Sequence, residues 1–231
     1  MEACLDLNPI CNANLGLILH FCKKRLLMKA FWEARYAQKE YAYGTTPNQY
    51  FKSILDTLSP GKILLAAEGE GRNAVYAATK GWEVVAYDWS ENAATKARHL
   101  AAQHQVKIDY RLASLEDLVF EPHSFDVLGL IYVHYPDAVR EANHQKLNQF
   151  LKPGGHIILE AFSKSHLAFS EKNSAVGGPK QLSQLYDMEL AQDFLDVSPM
   201  QLEAREINLA EGVYHLGQAH VIRFHGIKNH P

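Results

Sequence analysis

Six consecutive residues, Glu68-Gly69-Glu70-Gly71-Arg72-Asn73, constrain this chain more than any other stretch. They follow the apolar run Lys62-Ile63-Leu64-Leu65-Ala66-Ala67 and open into the helix-like segment Asn73-Ala74-Val75-Tyr76-Ala77-Ala78. A strand, a glycine turn and a helix in that order let bare backbone approach a ligand closely. The next apolar run, Trp82-Glu83-Val84-Val85-Ala86-Tyr87, ends on Asp88, where a carboxylate can accept hydrogen bonds from ribose hydroxyls. Taken alone the turn is a weak signature, because Ala74 stands where a G-x-G-x-x-G spacing wants its third glycine. The alternative for Asp88 is a cap on the turn before Ser90. The context points to an adenosine-containing ligand at the edge of a parallel sheet.

The rest of the chain repeats the alternation. Helical periodicity over 29–40 leads into a turn at Tyr43-Gly44-Thr45-Thr46-Pro47, where Thr46 is placed to cap a helix that Pro47 begins. Ser59-Pro60-Gly61 breaks that helix. Strands are expected at 62–67, 82–87, 106–111 and 125–133, and helices at 71–80, at 91–104 with Ser90 as cap, and at 137–150. Lys152-Pro153-Gly154-Gly155 turns into a fifth strand, His156–Phe162. The near-continuous apolar run 125–133 suits a strand covered on both faces. Residues 163–182 read as a polar loop containing Gly177-Gly178-Pro179, followed by a short helix near 187–193. Two antiparallel strands, 200–209 and 213–225, flank Glu211-Gly212. The expected class is α/β: a doubly wound, Rossmann-like, seven-stranded sheet, mostly parallel, with an antiparallel C-terminal hairpin.

Composition narrows the partners. The 231 residues suffice for one such domain, and a formal charge of −3 argues against nucleic acid. The dense basic run Lys23-Lys24-Arg25 reads as a solvated face. No stretch approaches the roughly 18 apolar residues of a membrane-spanning helix. Positive charges follow the apolar stretch Leu15–Phe21 rather than precede it, against a signal peptide, so a cytoplasmic location is expected. Cys4, Cys11 and Cys22 are spaced neither as a disulfide framework nor as a zinc site and read as reduced thiols. Poor periodicity over 1–27 suggests a disordered N-terminal extension, with Met28 as the natural start and one domain over 28–231. Twelve histidines are scattered without H-E-x-x-H or paired ligand spacing, so no metal is expected.

Five features stand in order with normal spacing. They are the glycine turn 68–73, Asp88, Ala113-Ser114-Leu115, Phe125-Asp126-Val127 and Leu151-Lys152-Pro153-Gly154-Gly155. In this series, over 29–228, the chain resembles the class I S-adenosylmethionine-dependent methyltransferases. Gly71-Arg72-Asn73, Tyr43-Gly44 with Pro47-Asn48, and Glu160-Ala161-Phe162 before Gly177-Gly178-Pro179-Lys180 make it most similar to the tellurite-resistance-like and thiopurine-methyltransferase-like small-molecule enzymes. It also departs from them. The usual acid that opens the glycine motif falls on Leu65, the first glycine on Ala67, and the acid beside the adenine amino group on Ser114.

The resemblance implies S-adenosylmethionine as cofactor. Backbone of Ala67, Gly69 and Gly71 would meet its methionine part, with Glu68 favouring the ammonium. Asp88 would take the ribose hydroxyls and Trp89 would flank the adenine. The backbone of Ala113, Ser114 and Leu115 would read the adenine edge, with Leu115 packing on its face; Trp89 and Leu115 are equally readable as core. Tyr36 and Tyr43 are candidates for a lid, or for helix-face packing. His134, in Ile131-Tyr132-Val133-His134-Tyr135-Pro136, falls just beyond the carboxyl end of strand four. It is the candidate catalytic base for a thiol or hydroxyl, or else a histidine bonded in a turn. Glu160 and His215 are candidates for shaping the acceptor pocket.

The implied activity is methyl transfer to a small-molecule acceptor, a thiol or a chalcogen oxyanion, by a monomer or homodimer. The leaving group is good, so orientation and exclusion of water can supply most of the catalysis. A nicotinamide-dependent oxidoreductase and a non-catalytic cofactor-binding protein are the alternatives. Ala74 and the Lys-Pro-Gly-Gly turn count against the former.

Overall fold

Side chains of the first strand, β1 (Lys62–Leu65), alternate between two cores: Leu64 enters one, Ile63 and Leu65 the other. That period of two, with both faces apolar, marks a strand sandwiched between helical layers. The computed structural model describes residues 25–231. Cys4, Cys11, Cys22 and the expected extension therefore lie outside the described residues, apart from 25–27. Those three residues belong to a helical stretch, α1, over 25–36.

The elements after it follow the expected alternation. They are α2 (Gln49–Leu55), β1, α3 (Arg72–Thr79), β2 (Glu83–Asp88), α4 (Glu91–Gln103), β3 (Asp109–Leu112) and β4 (Phe125–Ile131). Then come α5 (Asp137–Gln149), β5 (Leu151–Phe162), α6 (Leu167–Lys172), β6 (Val197–Glu211) and β7 (His215–Lys228). The strands form one 7-stranded sheet in the order β3-β2-β1-β4-β5-β7-β6. Neighbours from β3 to β5 are parallel, and β7 is antiparallel to both β5 and β6. This is the expected doubly wound sheet with its C-terminal hairpin.

Phe51 and Leu55 of α2, Ala74 and Ala77 of α3, and Ala94 and Ala97 of α4 cover one face over Ile63, Leu65, Val84 and Val127. Leu147 of α5, with Phe150, Tyr186 and Phe194, covers the other over Leu64, Val85, Leu128 and Leu159. Each fully buried side chain of this size contributes about 1.5–3 kcal/mol. Small residues set the closest approach. A Cβ on Gly71 would lie 2.6 Å from the Ala97 Cβ, so the turn can sit against α4 only with glycine there.

Several boundaries differ from expectation for local reasons. The helix after Pro47 is capped by Asn48 rather than Thr46, because the Asn48 side chain accepts from the Phe51 amide at 2.9 Å. The Ser90 cap is as expected, accepting from Ala93 at 3.1 Å. β4 stops at Ile131 instead of 133, since Tyr132 has a φ of 55°. The stretch 163–182 contains α6 and short helical turns rather than plain loop. Among the described residues no helix is long and apolar enough to cross a membrane.

Candidate active site

The glycine turn is locked from several sides. The Gly69 amide donates to Asp88 Oδ2 at 3.1 Å, and its carbonyl accepts from the Tyr110 hydroxyl. Ala67, standing where the resembled family has its first glycine, adopts a φ of 44°, the left-handed region that glycine enters freely. Tyr36 lies over the turn, and a Cβ on Gly69 would come within 2.8 Å of its hydroxyl. Trp32 stacks on Tyr36 at 5.5 Å. Tyr36 of α1 thus packs over the turn and also joins a small apolar cluster with Ala42 and Ala93.

The two carboxylates of the turn are already engaged. Glu68 Oε1 accepts from the amides of Asn73 at 2.7 Å and Ala74 at 2.8 Å, capping the start of α3. That carboxylate faces the positive start of α3, a contact that the expected role beside a cofactor ammonium did not include. Burial pushes its pKa up to about 7, against the bonds from Ala74 and Asn73 and the charge of Arg72. Glu70 accepts from the Ala42 amide and pairs with Lys96, each at 2.7 Å, which fastens the segment that carries Tyr43.

Asp88 ends β2 at the carboxyl edge of the sheet, as expected. Burial raises it to about 6, opposed by the bonds from Ser90, Gly69 and Trp89. Trp89 beside it is half-buried. The Ala113 amide donates to the Asp88 carbonyl at 3.0 Å, which brings 113–115 alongside. Ser114 begins a capped helical turn with Asp117, whereas the Leu115 side chain joins the core with Ala66, Val85 and Tyr87. Of the two readings for Leu115, core packing is the one the structure shows.

Beyond the turn lies a buried polar network that sequence reasoning largely missed. Arg72 Nη2 donates to Glu211 at 2.9 Å, and Asn73 Oδ1 accepts from the Asn48 amide at 2.9 Å. Asn48 Nδ2 and the Tyr132 hydroxyl both donate to Glu160 Oε1, at 2.6 and 3.0 Å. Arg223 Nε holds the other Glu160 oxygen at 2.6 Å. A hollow of about 230 Å³ lies here, lined by Pro47, Asn48, Glu160, Leu209, Glu211 and Arg223. A larger one of about 640 Å³ opens at the opposite end of the sheet, beside Trp82, Asp126 and Lys152. Ligands in such sheets bind at the carboxyl ends of the strands, so the smaller hollow is the one adjoining the site.

The two candidate histidines have exchanged prospects. His134 Nδ1 donates to the Gln184 carbonyl at 2.7 Å, and Nε2 accepts from the Phe162 amide at 3.2 Å. Burial lowers it to about 3. With both nitrogens spent on backbone it has no lone pair for a substrate proton, so its expected role as base is corrected to that of a strut. His215 is different. Its Nδ1 donates to Glu211 at 3.2 Å, and Nε2 forms no hydrogen bond among the described residues. Its ring lies 4.4 Å from that of Tyr43 and 4.5 Å from that of Tyr132. Burial alone would raise Glu211, but His215 and Arg72 outweigh it and hold the acid at about 2. The ionised carboxylate fixes the tautomer and leaves Nε2 as the acceptor. The Gly177-Gly178 pair also finds its reason: a Cβ on Gly177 would stand 2.5 Å from the Tyr214 carbonyl and 3.1 Å from the His215 ring.

Comparison with known proteins agrees with this architecture. Residues 63–155 match a family described as a methyltransferase domain. A ubiquinone biosynthesis O-methyltransferase from Xanthomonas euvesicatoria is 29% identical over 163 residues, which span 69% of this chain and 66% of the relative. The chain thus matches just under two thirds of that relative's length. Among solved structures, one from work on conversion of a disulfide bond into a thioacetal group during echinomycin biosynthesis superimposes with a TM-score of 0.70 at 18% identity, covering 87% of this chain and 92% of the other. TehB from Haemophilus influenzae gives 0.62 at 16% identity, covering 79% and 63%. A SAM-dependent methyltransferase from Methanosarcina mazei gives 0.63 at 16% identity, covering 80% and 100%. The residues present fit the cofactor these proteins imply. Gly69 offers backbone without a side chain, and each Asp88 oxygen accepts one of the Gly69 and Ser90 amides, leaving lone pairs for hydroxyls. Residues 63–155 thus match a methyltransferase domain, and the sheet order is that of the class I S-adenosylmethionine-dependent methyltransferase fold.

Proposed function

We propose that the chain transfers a methyl group from S-adenosylmethionine to a small-molecule acceptor whose nucleophile must shed a proton, a thiol before others, with His215 as the general base. Bound S-adenosylmethionine supplies a methyl group on a positively charged sulfur. The chain's residues do the rest. Asp88 accepts from the ribose hydroxyls, backbone of Ala67, Gly69 and Gly71 receives the methionine part, and Trp89 with the 113–115 backbone borders the adenine. Tyr36 and Tyr43 exclude water. Nε2 of His215 takes the acceptor's proton, Glu211 stabilises the imidazolium that results, and Arg72 holds Glu211 in place.

The observation that carries this reading is the Glu211–His215 pair with its unused Nε2. It favours a protic acceptor over a chalcogen oxyanion, which arrives already ionised and needs no base. An oxygen nucleophile is the second reading, supported by the O-methyltransferase names of the curated relatives. The test is a methyl-transfer screen across small thiols, phenols, tellurite and selenite, with wild type and His215→Gln. Turnover on thiols that His215→Gln abolishes near neutral pH supports the proposal. Turnover confined to tellurite and selenite, unaffected by the substitution, overturns it, and turnover on phenols alone selects the second reading.

A further inference from the structure

β6 is the terminal strand of the sheet and hydrogen-bonds only to β7 among the described residues. It is 15 residues long. An exposed edge of that length presents a row of unpaired amides and carbonyls, which proteins ordinarily blunt with short strands, prolines or bulges. Here both ends are protected and the middle is not. Pro199 and a register shift between Pro199 and Gln201 interrupt the start, while at the far end Leu209 is buried and Glu211 is held by Arg72. The stretch 201–207 is left open, with Ala204, Arg205 and Glu206 exposed. Its midpoint is Ala204.

Charge on this stretch has a direction. The ladder sets Glu160 opposite Arg223 and Arg223 opposite Glu203, so a row across β5, β7 and β6 alternates negative, positive, negative and ends at the open edge. Arg205 projects from the same face two residues on and folds back to Glu203 at 3.2 Å. In an antiparallel pairing of β6 with another β6 about a two-fold axis at Ala204, each Glu203 faces the other strand's Arg205. Both charge pairs are then opposite in sign, and the alternating row continues across the junction. Edge charges that guard against association repel their own copy; these attract it.

We propose that the 201–207 stretch of β6 is the two-fold interface of a homodimer, the partner being a second copy of this chain. The contact is one strand pair, small for a stable interface, so it forms at micromolar rather than nanomolar concentration. It meets the candidate site only at Ile207, which lines the hollow beside Glu160 and Glu211, while Asp88, His215 and the glycine turn stand on other elements.

Light scattering on size-separated protein, up to about 100 µM, tests this. Wild type is expected to reach the mass of two chains. Glu203→Arg and Arg205→Glu, each placing like charges opposite one another, are expected to weaken dimerisation by at least about 100-fold. An equimolar mixture of the two variants, and the double variant Glu203→Arg/Arg205→Glu, restore opposite pairs and should recover the dimer. A wild type that stays at one chain mass overturns the proposal. So does a single variant that remains dimeric, or a failure of both the mixture and the double variant to recover association.

Discussion

The cofactor half of the sheet, β1 to β3, and the acceptor half, β4 to β7, hold their polar groups in opposite ways. Glu68 is bound by residues five and six positions ahead, and Asp88 by Ser90 and by Gly69 on the neighbouring turn. In the acceptor half, Asn48 reaches Glu160, Arg72 reaches Glu211, and Arg223 reaches Glu160, all from distant parts of the chain. The first half pairs local motifs with a few long ties, from Glu70 to Ala42 and Lys96 and from Tyr110 to Gly69, whereas the second is a network that exists only once the fold is complete. Damage should therefore stay local in the first and spread in the second.

The sharpest way to break the contrast is Arg72→Met, which leaves Glu211 buried without its cation. Removing one partner of such a pair costs about 3–5 kcal/mol, to be measured by urea unfolding, and Arg72→Met/Glu211→Leu should recover much of it. A wild-type-like stability in Arg72→Met would show the network to be ornamental. His215→Gln comes next. It should lower kcat by about 10²–10³-fold with little change in stability, and its residual rate should rise with pH as the acceptor ionises unaided. The wild-type rate should fall only below the ordinary imidazole range, because burial lowers His215. His134→Gln should leave the shape of the pH profile unaltered.

Asp88→Asn probes the local half. Charged hydrogen bonds of this kind are worth about 1.5–3 kcal/mol, so S-adenosylmethionine should bind about 10–100-fold more weakly by calorimetry. The smallest effect is at Glu68. Its folded pKa, about 7, lies above the usual 4.5, so between those values the folded chain keeps a proton that the unfolded chain has lost. Stability from this group falls as pH rises through that window. Melting temperatures of Glu68→Gln, compared with wild type from pH 5 to 8, should show a flatter decline.

What could be read in the sequence divides along the same line. The strand–turn–helix around Gly69, the end of β2 at Asp88 and the Ser90 cap are short-range patterns, and each stands where it was expected. The acid of Glu68 was legible but its direction was not, because an amide-rich helix start and a cofactor ammonium attract a carboxylate equally. His134 had the right position at the end of β4, yet its worth as a base depended on Gln184 and Phe162, far away in sequence. Gly71-Arg72-Asn73 carried a family likeness without disclosing that Arg72 and Asn73 face the hairpin and the α2 cap. Only Glu160 and His215 signalled that network in advance, as polar residues in otherwise strand-like runs.

The bond between Arg72 and Glu211 also orders events during synthesis. A nascent chain can complete β1 to β5 and place Asp88 well before residue 211 leaves the ribosome, but Arg72 then has no carboxylate to meet. The glycine turn is written early and fastened late, by the hairpin that also brings Ile222 and Phe224 into the core.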